Sequence, residues 1–188
     1  MCRAATAVVA ACCAMILTAC SAFTTSETTA TPTGSPTSTV RPNDFSVFYE
    51  WWEAPLPPPL QYGYTIAINS QGQSEVVMTI SDFTSEQVPA WTETFTVQPA
   101  KLDELYQLLA GHDLFTQNWP AQVPPPGGAG ESMVVTAHGK QITIAVYVDS
   151  DLVTKAAEMY AAVRALVPQT IWDKLDVQRQ QYIQEYQE

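Results

Sequence analysis

The sequence has 188 residues, a length that fits one domain with shorter flanking segments. Hydrophobic residues make up 46% of the chain, enough for a packed core, whereas 19 acidic and 8 basic residues give a formal net charge of −11. This charge repels phosphate backbones and anionic lipid headgroups, so the composition argues against nucleic-acid binding.

The first twenty residues have the features of a secretion signal. Arg3 supplies one positive charge, and residues 4–17 form an apolar run that is too short to span a bilayer. The following Leu17-Thr18-Ala19-Cys20 resembles the lipobox of bacterial lipoproteins. That resemblance implies a signal peptide of residues 1–19, cleavage before Cys20, and membrane anchoring through lipid on the Cys20 thiol. The alternative is an ordinary signal peptide in which Cys20 is incidental.

All four cysteines lie within these first twenty residues. Cleavage before Cys20 would remove Cys2, Cys12 and Cys13 with the signal peptide. The remaining chain would then have no disulfide, no thiolate metal cluster and no cysteine nucleophile. We therefore expect an extracytoplasmic protein that is lipid-anchored at the cell membrane or outer envelope.

The composition changes sharply after the cysteine. Residues 20–43 are rich in Thr, Ser and Pro and bury too little apolar surface to offset the entropy of ordering. We interpret them as a flexible or polyproline-like tether. Residues 44–188 then form a single globular domain.

The domain begins with alternating apolar side chains, the pattern of half-buried β-strands. In the first segment, Phe45, Val47, Tyr49 and Trp51 share one face. The Pro-rich stretch after Trp52 breaks regular structure. Further alternating segments follow, two of them joined as hairpins by short turns. The predicted strands are residues 45–52, 62–69, 75–80, 92–97, 133–137 and 141–148.

Three segments have the spacing of amphipathic helices. Pro99 opens the first and Gly111 closes it. Asp149 or Ser150 caps the second, which runs to about residue 167, and the third spans residues 171–186. The order is β-β-β-α-β-β-α-α in outline. It predicts an α+β fold, with an antiparallel sheet of about five or six strands and helices packed on one face.

The domain also resembles a group of uncharacterised exported bacterial proteins. The similarity rests on residues 44–51, 64–68 and 91–95, on the Gly127-Gly128 loop and on the exit at residues 165–172. It extends over about residues 44–186. The resemblance implies one compact domain and transfers no site residues.

The histidines offer little for chemistry. His112 follows a helix end, where it can cap carbonyls, and His138 lies in a hairpin turn that tolerates left-handed geometry. Ser132, His138 and Asp149 lack a Gly-x-Ser-x-Gly elbow, and hairpin geometry gives no reason for them to converge. Asp149-Ser150-Asp151 lacks the later ligands of a calcium loop. We therefore predict no catalytic, metal or cofactor site.

The most distinctive surface candidate is the aromatic and Pro-rich region of residues 48–64. Exposed aromatic side chains favour interfaces, so this region is our predicted contact surface for a protein or glycan partner. The predicted contact residues are Tyr49, Trp51, Trp52 and Tyr62.

The sequence thus favours a non-catalytic, membrane-anchored binding or interaction module of the cell envelope. One alternative is a carbohydrate-binding or glycoside-hydrolysing protein that uses Glu50 or Glu53 beside Trp51 and Trp52. The competing interpretation of this segment is that Trp51 or Trp52 packs against the core. Another is an assembly or inhibitory protein that binds another exported protein through its sheet face or edge.

Overall fold

The computed structural model describes residues 40–80, 89–123 and 127–187. The predicted signal peptide, Cys20 and the predicted tether up to residue 39 lie outside these ranges. The last residues of the predicted tether already contact the domain. The Arg41 guanidinium donates to the carboxylate of Asp103 at 2.7 Å and to the carbonyl oxygen of Ser70 at 3.1 Å.

The domain is built on a six-stranded sheet in the order β4-β3-β2-β1-β5-β6, and every neighbouring pair is antiparallel. The first strand of the chain is therefore an interior strand, paired on one side with β2 and on the other with β5. The strands are β1 (Ser46–Trp52), β2 (Tyr62–Ile68), β3 (Gln73–Ile80), β4 (Ala90–Thr96), β5 (Gly130–Ala137) and β6 (Lys140–Ile144).

Within the described residues, three helices complete the fold, and all pack on one face of the sheet. They are α1 (Pro99–Gly111), α2 (Val153–Arg164) and α3 (Gln169–Tyr186). The predicted α+β class, strand number and helix placement are confirmed. The sheet has six strands, the larger of the two predicted numbers, and four of them precede α1. Helix α1 has the predicted bounds.

The core lies between the sheet and the helices because the strands alternate as predicted. In β1, Val47 and Tyr49 are buried while Phe48 and Glu50 are exposed. The helices contribute apolar side chains that cover this inward face and exclude water from it. The buried helical residues are Leu102, Leu105, Tyr106, Leu109, Ala156, Met159, Tyr160, Val163 and Leu175.

The beginning of α2 differs from the prediction. A 3₁₀ turn of residues Ser150–Leu152 precedes the helix, and neither Asp149 nor Ser150 makes a side-chain cap. The Asp149 carboxylate instead accepts a hydrogen bond from the Gln122 amide, and the Ser150 hydroxyl donates to Asp151 at 3.1 Å. The predicted capping role was wrong because both side chains bond elsewhere.

Strand β6 ends at Ile144, four residues before the predicted end. Beyond this point the chain leaves the β5 ladder. The carbonyl oxygen of Tyr147 instead accepts a hydrogen bond of 2.8 Å from the backbone N–H of Gln122. A loop thus replaces the neighbouring strand as the hydrogen-bonding partner of this segment.

Candidate functional site

The sheet has an outer face, opposite the three helices, that carries mostly uncharged side chains. The register of the strands places alternate residues of all six on this face. Many of them are short side chains that end in a hydroxyl. The hydroxyl-bearing residues of the outer face are Ser46, Thr65, Thr79, Thr92, Thr94, Thr96, Ser132, Thr136 and Thr143.

Apolar side chains occupy the middle of the outer face. Phe48 lies on interior strand β1 and is 44% exposed. Its cross-strand neighbours are Ala67 on β2 and Val134 on β5, both half-buried. Cross-strand neighbours on one face lie close enough for their side chains to touch. The outer face therefore has an apolar centre within a rim of hydroxyl groups.

The outer face is also concave and acidic. A shallow concavity of about 540 Å³ spans its middle strands, and Phe48, Val134 and Glu75 are among its lining residues. Glu50 and Glu75 are the only charged side chains that the described strands direct to this face. Both are exposed. The electrostatic character of the outer face is thus mildly negative, with no basic group among its strand residues.

Aromatic side chains gather at one end of the opposite, inward face. Trp51 stacks on Tyr64 with ring centroids 5.2 Å apart and also contacts Tyr62 at 5.1 Å. Trp172 at the beginning of α3 packs edge-on against Tyr64 at 4.8 Å. The guanidinium of Arg179 lies 4.3 Å from the centroid of the Tyr62 ring. These contacts fix α3 to the sheet.

A polar cluster lies beside this aromatic group. The buried Tyr49 hydroxyl donates to the carboxylate of Glu131 at 2.7 Å and accepts from the Arg164 guanidinium at 2.7 Å. Arg164 also forms an ion pair with Glu131. Burial raises the pKa of Tyr49, so the phenol stays protonated and bridges the two charges. This cluster joins β1, β5 and the last residue of α2.

The four predicted contact residues lie in three different environments: the core, the aromatic group beneath α3 and the outer face. Tyr49 is completely buried, so its predicted place on a contact surface was wrong. Trp51 and Tyr62 are half-buried in the aromatic group beneath α3. Trp52 lies on the outer face, and its indole covers Gly130 closely enough that a Cβ there would overlap it. Phe48, within the predicted region 48–64, is the exposed aromatic residue that the prediction left out.

The predicted carboxylate pair is likewise separated. Glu50 is exposed on the outer face of β1. Glu53 follows the strand and lies on the opposite side, close to Tyr62. The negative charge of Glu53 helps to raise the pKa of Tyr62. Burial is the larger cause of that shift. The concavity that Glu50 lines does not include Glu53, so hydrolysis by this pair stays a prediction.

Each histidine has a structural contact. His112 lies 3.2 Å from the Glu158 carboxylate of α2, which links it to a neighbouring helix. His138 has the left-handed φ of 54° that its turn position predicted, and its Nε2 lies 2.9 Å from the Tyr106 hydroxyl. Backbone N–H groups of Gly139 and His138 donate to the Asp44 carboxylate and lower its pKa.

Ser132 lies on the outer face, whereas His138 contacts Tyr106 and Asp149 contacts Gln122. These three residues therefore do not form a catalytic triad. Within residues 40–80, 89–123 and 127–187, no three His, Cys, Asp or Glu side chains are grouped so as to hold a metal ion. In the same part of the chain, no helix combines the length and apolarity needed to cross a membrane.

No protein-family model matches this chain, and no curated protein sequence is significantly similar to it.

Proposed function

We propose that this chain is an extracytoplasmic, lipid-anchored and non-catalytic binding module whose outer sheet face docks a protein of the cell envelope. The lipobox-like sequence that ends at Cys20 supports the location and the anchor. The exposed Phe48 at the middle of the outer face supports the binding role. Docking needs no catalytic group.

Phe48 is the observation that carries the binding role. An antiparallel sheet with one face in water normally alternates apolar and polar residues, so an open face by itself needs no partner. Here an aromatic side chain is 44% exposed on an interior strand, between Ala67 and Val134. An apolar, uncharged centre with a polar rim is the arrangement found at protein–protein interfaces.

The charge of the outer face defines the chemistry of the partner. Glu50 and Glu75 lie near Phe48 and have no basic neighbour among the strand residues of this face. A partner that places an apolar side chain on Phe48 and basic groups opposite these carboxylates would be complementary. A second copy of this chain would bring acidic groups against acidic groups. The outer face therefore favours a basic protein surface over self-association.

Site-specific photo-crosslinking in cells tests this proposal. A photoreactive phenylalanine analogue replaces Phe48 in the full chain, and the matched control replaces Val177, which is 66% exposed on α3. We expect one discrete, protease-sensitive cross-linked species from position 48 and none from position 177. Reversal of charge in Glu75→Lys should lower its yield several-fold because the basic partner is then repelled.

Two results would contradict the proposal. Equal cross-linking from positions 48 and 177 would show that the outer face has no special partner. A heterogeneous species that glycosidases remove, while proteases do not, would identify a glycan instead of a protein. Glu75 is exposed on β3, so Glu75→Lys should fold with nearly unchanged stability, because an exposed substitution usually alters the free energy of unfolding by only about 0.5 kcal/mol. Loss of cross-linking therefore reports on binding.

A further inference from the structure

We infer that a hollow on the outer face, above Gly63, receives a lysine side chain of the docked partner. The inference rests on the proposed docking role and names one contact within it. The hollow has a volume of about 190 Å³, several times the roughly 30 Å³ that a water molecule occupies, so it has room for a side chain. Phe48 is not among its lining residues, so the hollow is a second feature of the same face.

The register of the first three strands explains why the hollow exists. Gly63 on β2 lies directly between Trp52 on β1 and Thr79 on β3. Because a glycine adds no side chain to the outer face, Gly63 forms the floor of the hollow. The outer-face residues that line it are Glu50, Trp52, Thr65, Val77 and Thr79.

Glu50 supplies the charge of the hollow. The residue is exposed, and its carboxylate has no hydrogen bond or ion pair with any other residue in the described part of the chain. Among the described residues that line the hollow, none is basic. The carboxylate is therefore available to a cation from outside, and a hydrogen bond between two charged groups is stronger than one between neutral groups.

Two hydroxyl groups complete a set of acceptors that suits an ammonium group. Thr65 lies directly opposite Glu50, and Thr79 lies across the floor of the hollow. Neither hydroxyl has a hydrogen-bond partner among the described residues. A lysine ammonium has donors for all of these groups and no acceptor, whereas a guanidinium pairs best with both oxygens of one carboxylate and would leave the hydroxyls unused. Val77 and the Cβ of Trp52 offer apolar surface to the methylene stem.

Titration of the full chain with n-butylammonium, which is the side chain of lysine without its backbone, tests the hollow by itself. The neutral probe n-butanol has the same carbon chain and no charge. We expect saturable NMR shifts of Glu50, Thr65 and Thr79 with n-butylammonium and no saturable shifts with n-butanol.

Three variants locate the binding. Glu50→Gln removes the charge at an exposed position and should weaken n-butylammonium binding by about tenfold or more, the effect of one charge-assisted hydrogen bond. Thr79→Val keeps the β-branched shape, loses one hydroxyl and should weaken binding by roughly two- to tenfold. Glu75→Gln is the matched control, because it removes the other outer-face charge outside the hollow. It should change binding by about twofold at most, since solvent screens exposed charges that are not in contact.

Carbodiimide coupling tests whether the ammonium group belongs to the partner. This reagent joins a carboxylate to an amine that is in contact with it. Applied to the species that is cross-linked through position 48, it should join Glu50 to a lysine of the partner, as identified by mass spectrometry of the digested species. Coupling through Glu75 alone, or no coupling at Glu50, would overturn the inference and leave the docking role intact.

The titration has its own contrary results. The inference fails if n-butylammonium binding does not saturate, if n-butanol binds as tightly, or if Glu50→Gln and Glu75→Gln weaken binding equally. None of these results affects cross-linking from position 48, so each is distinguishable from failure of the docking role. Saturable n-butylammonium binding with no partner cross-linked at position 48 would refute the docking role and assign the hollow to a free amine. Selective loss in Glu50→Gln together with coupling of Glu50 to a partner lysine supports the inference.

Discussion

Two turn glycines allow a controlled test of how the hairpins are held. Gly72, between β2 and β3, has a φ of +81°, and Gly139, between β5 and β6, has a φ of +70°. Both angles lie in the left-handed region that side chains disfavour. Their surroundings differ. A Cβ on Gly139 would meet no atom within 4 Å, whereas one on Gly72 would overlap the carbonyl oxygen of Val97.

The structure separates the two contributions to the cost of alanine. Gly139→Ala should lower the free energy of unfolding by about 1–2 kcal/mol, the penalty for the left-handed conformation alone. Gly72→Ala adds an overlap with Val97, whose backbone N–H also donates to the Gly72 carbonyl oxygen at 2.8 Å. Overpacking of this kind costs about 1–3 kcal/mol. The total for Gly72→Ala is therefore roughly 2–5 kcal/mol.

Urea denaturation of the two variants and the unmodified chain measures both effects, with the slope of the transition compared to confirm that the unfolded states match. We expect Gly72→Ala to unfold at a clearly lower urea concentration than Gly139→Ala. Equal midpoints for the two variants would refute the reasoning, because backbone conformation alone would then explain the whole cost. A smaller loss for Gly72→Ala than for Gly139→Ala would be stronger evidence against it.

Two further predictions concern the polar contacts of β1. Tyr49→Phe removes the hydroxyl shared by Glu131 and Arg164, so the free energy of unfolding from urea titration should fall by about 1–3 kcal/mol. An unchanged midpoint would show that the bridge does not stabilise the fold. The backbone N–H groups of Gly139 and His138 hold the pKa of Asp44 in the folded state below its ordinary value of 3.8. The ionised carboxylate therefore stabilises the fold above pH 3.8, and this stabilisation is lost as the pH falls through the folded-state pKa. Urea midpoints from pH 5 to pH 2 should decline less steeply for Asp44→Asn than for the unmodified chain, and parallel profiles would contradict this.

Local sequence patterns were sufficient for most of the fold. The alternation of β1 and the Pro99 and Gly111 boundaries of α1 follow from geometry within a few residues, and the structure has both. The end of β6 was not predictable in this way. Residues 145–148 keep an apolar composition, but their backbone bonds to the distant Gln122 instead of extending the strand.

The candidate sites depend on contacts that no local pattern contains. Tyr49 lies 82 residues from Glu131 and 115 residues from Arg164, so the cluster exists only after the fold has formed. The sequence did contain one signal that corrects the predicted contact surface. The alternation that places Tyr49 inward also places Phe48 outward, at the centre of the open face.

The position of β1 has a consequence for how the chain acquires its structure. The chain is synthesised from its N-terminus, so β1 can pair with β2 as soon as β2 and the segment that joins the two strands have been made. Its other edge, however, pairs with Gly130–Ala137, which is synthesised much later. Unpaired strand edges are prone to wrong association, and distant pairings form slowly. A chain in which only β1–β4 were paired would leave the β5-facing edge of β1 open to wrong association.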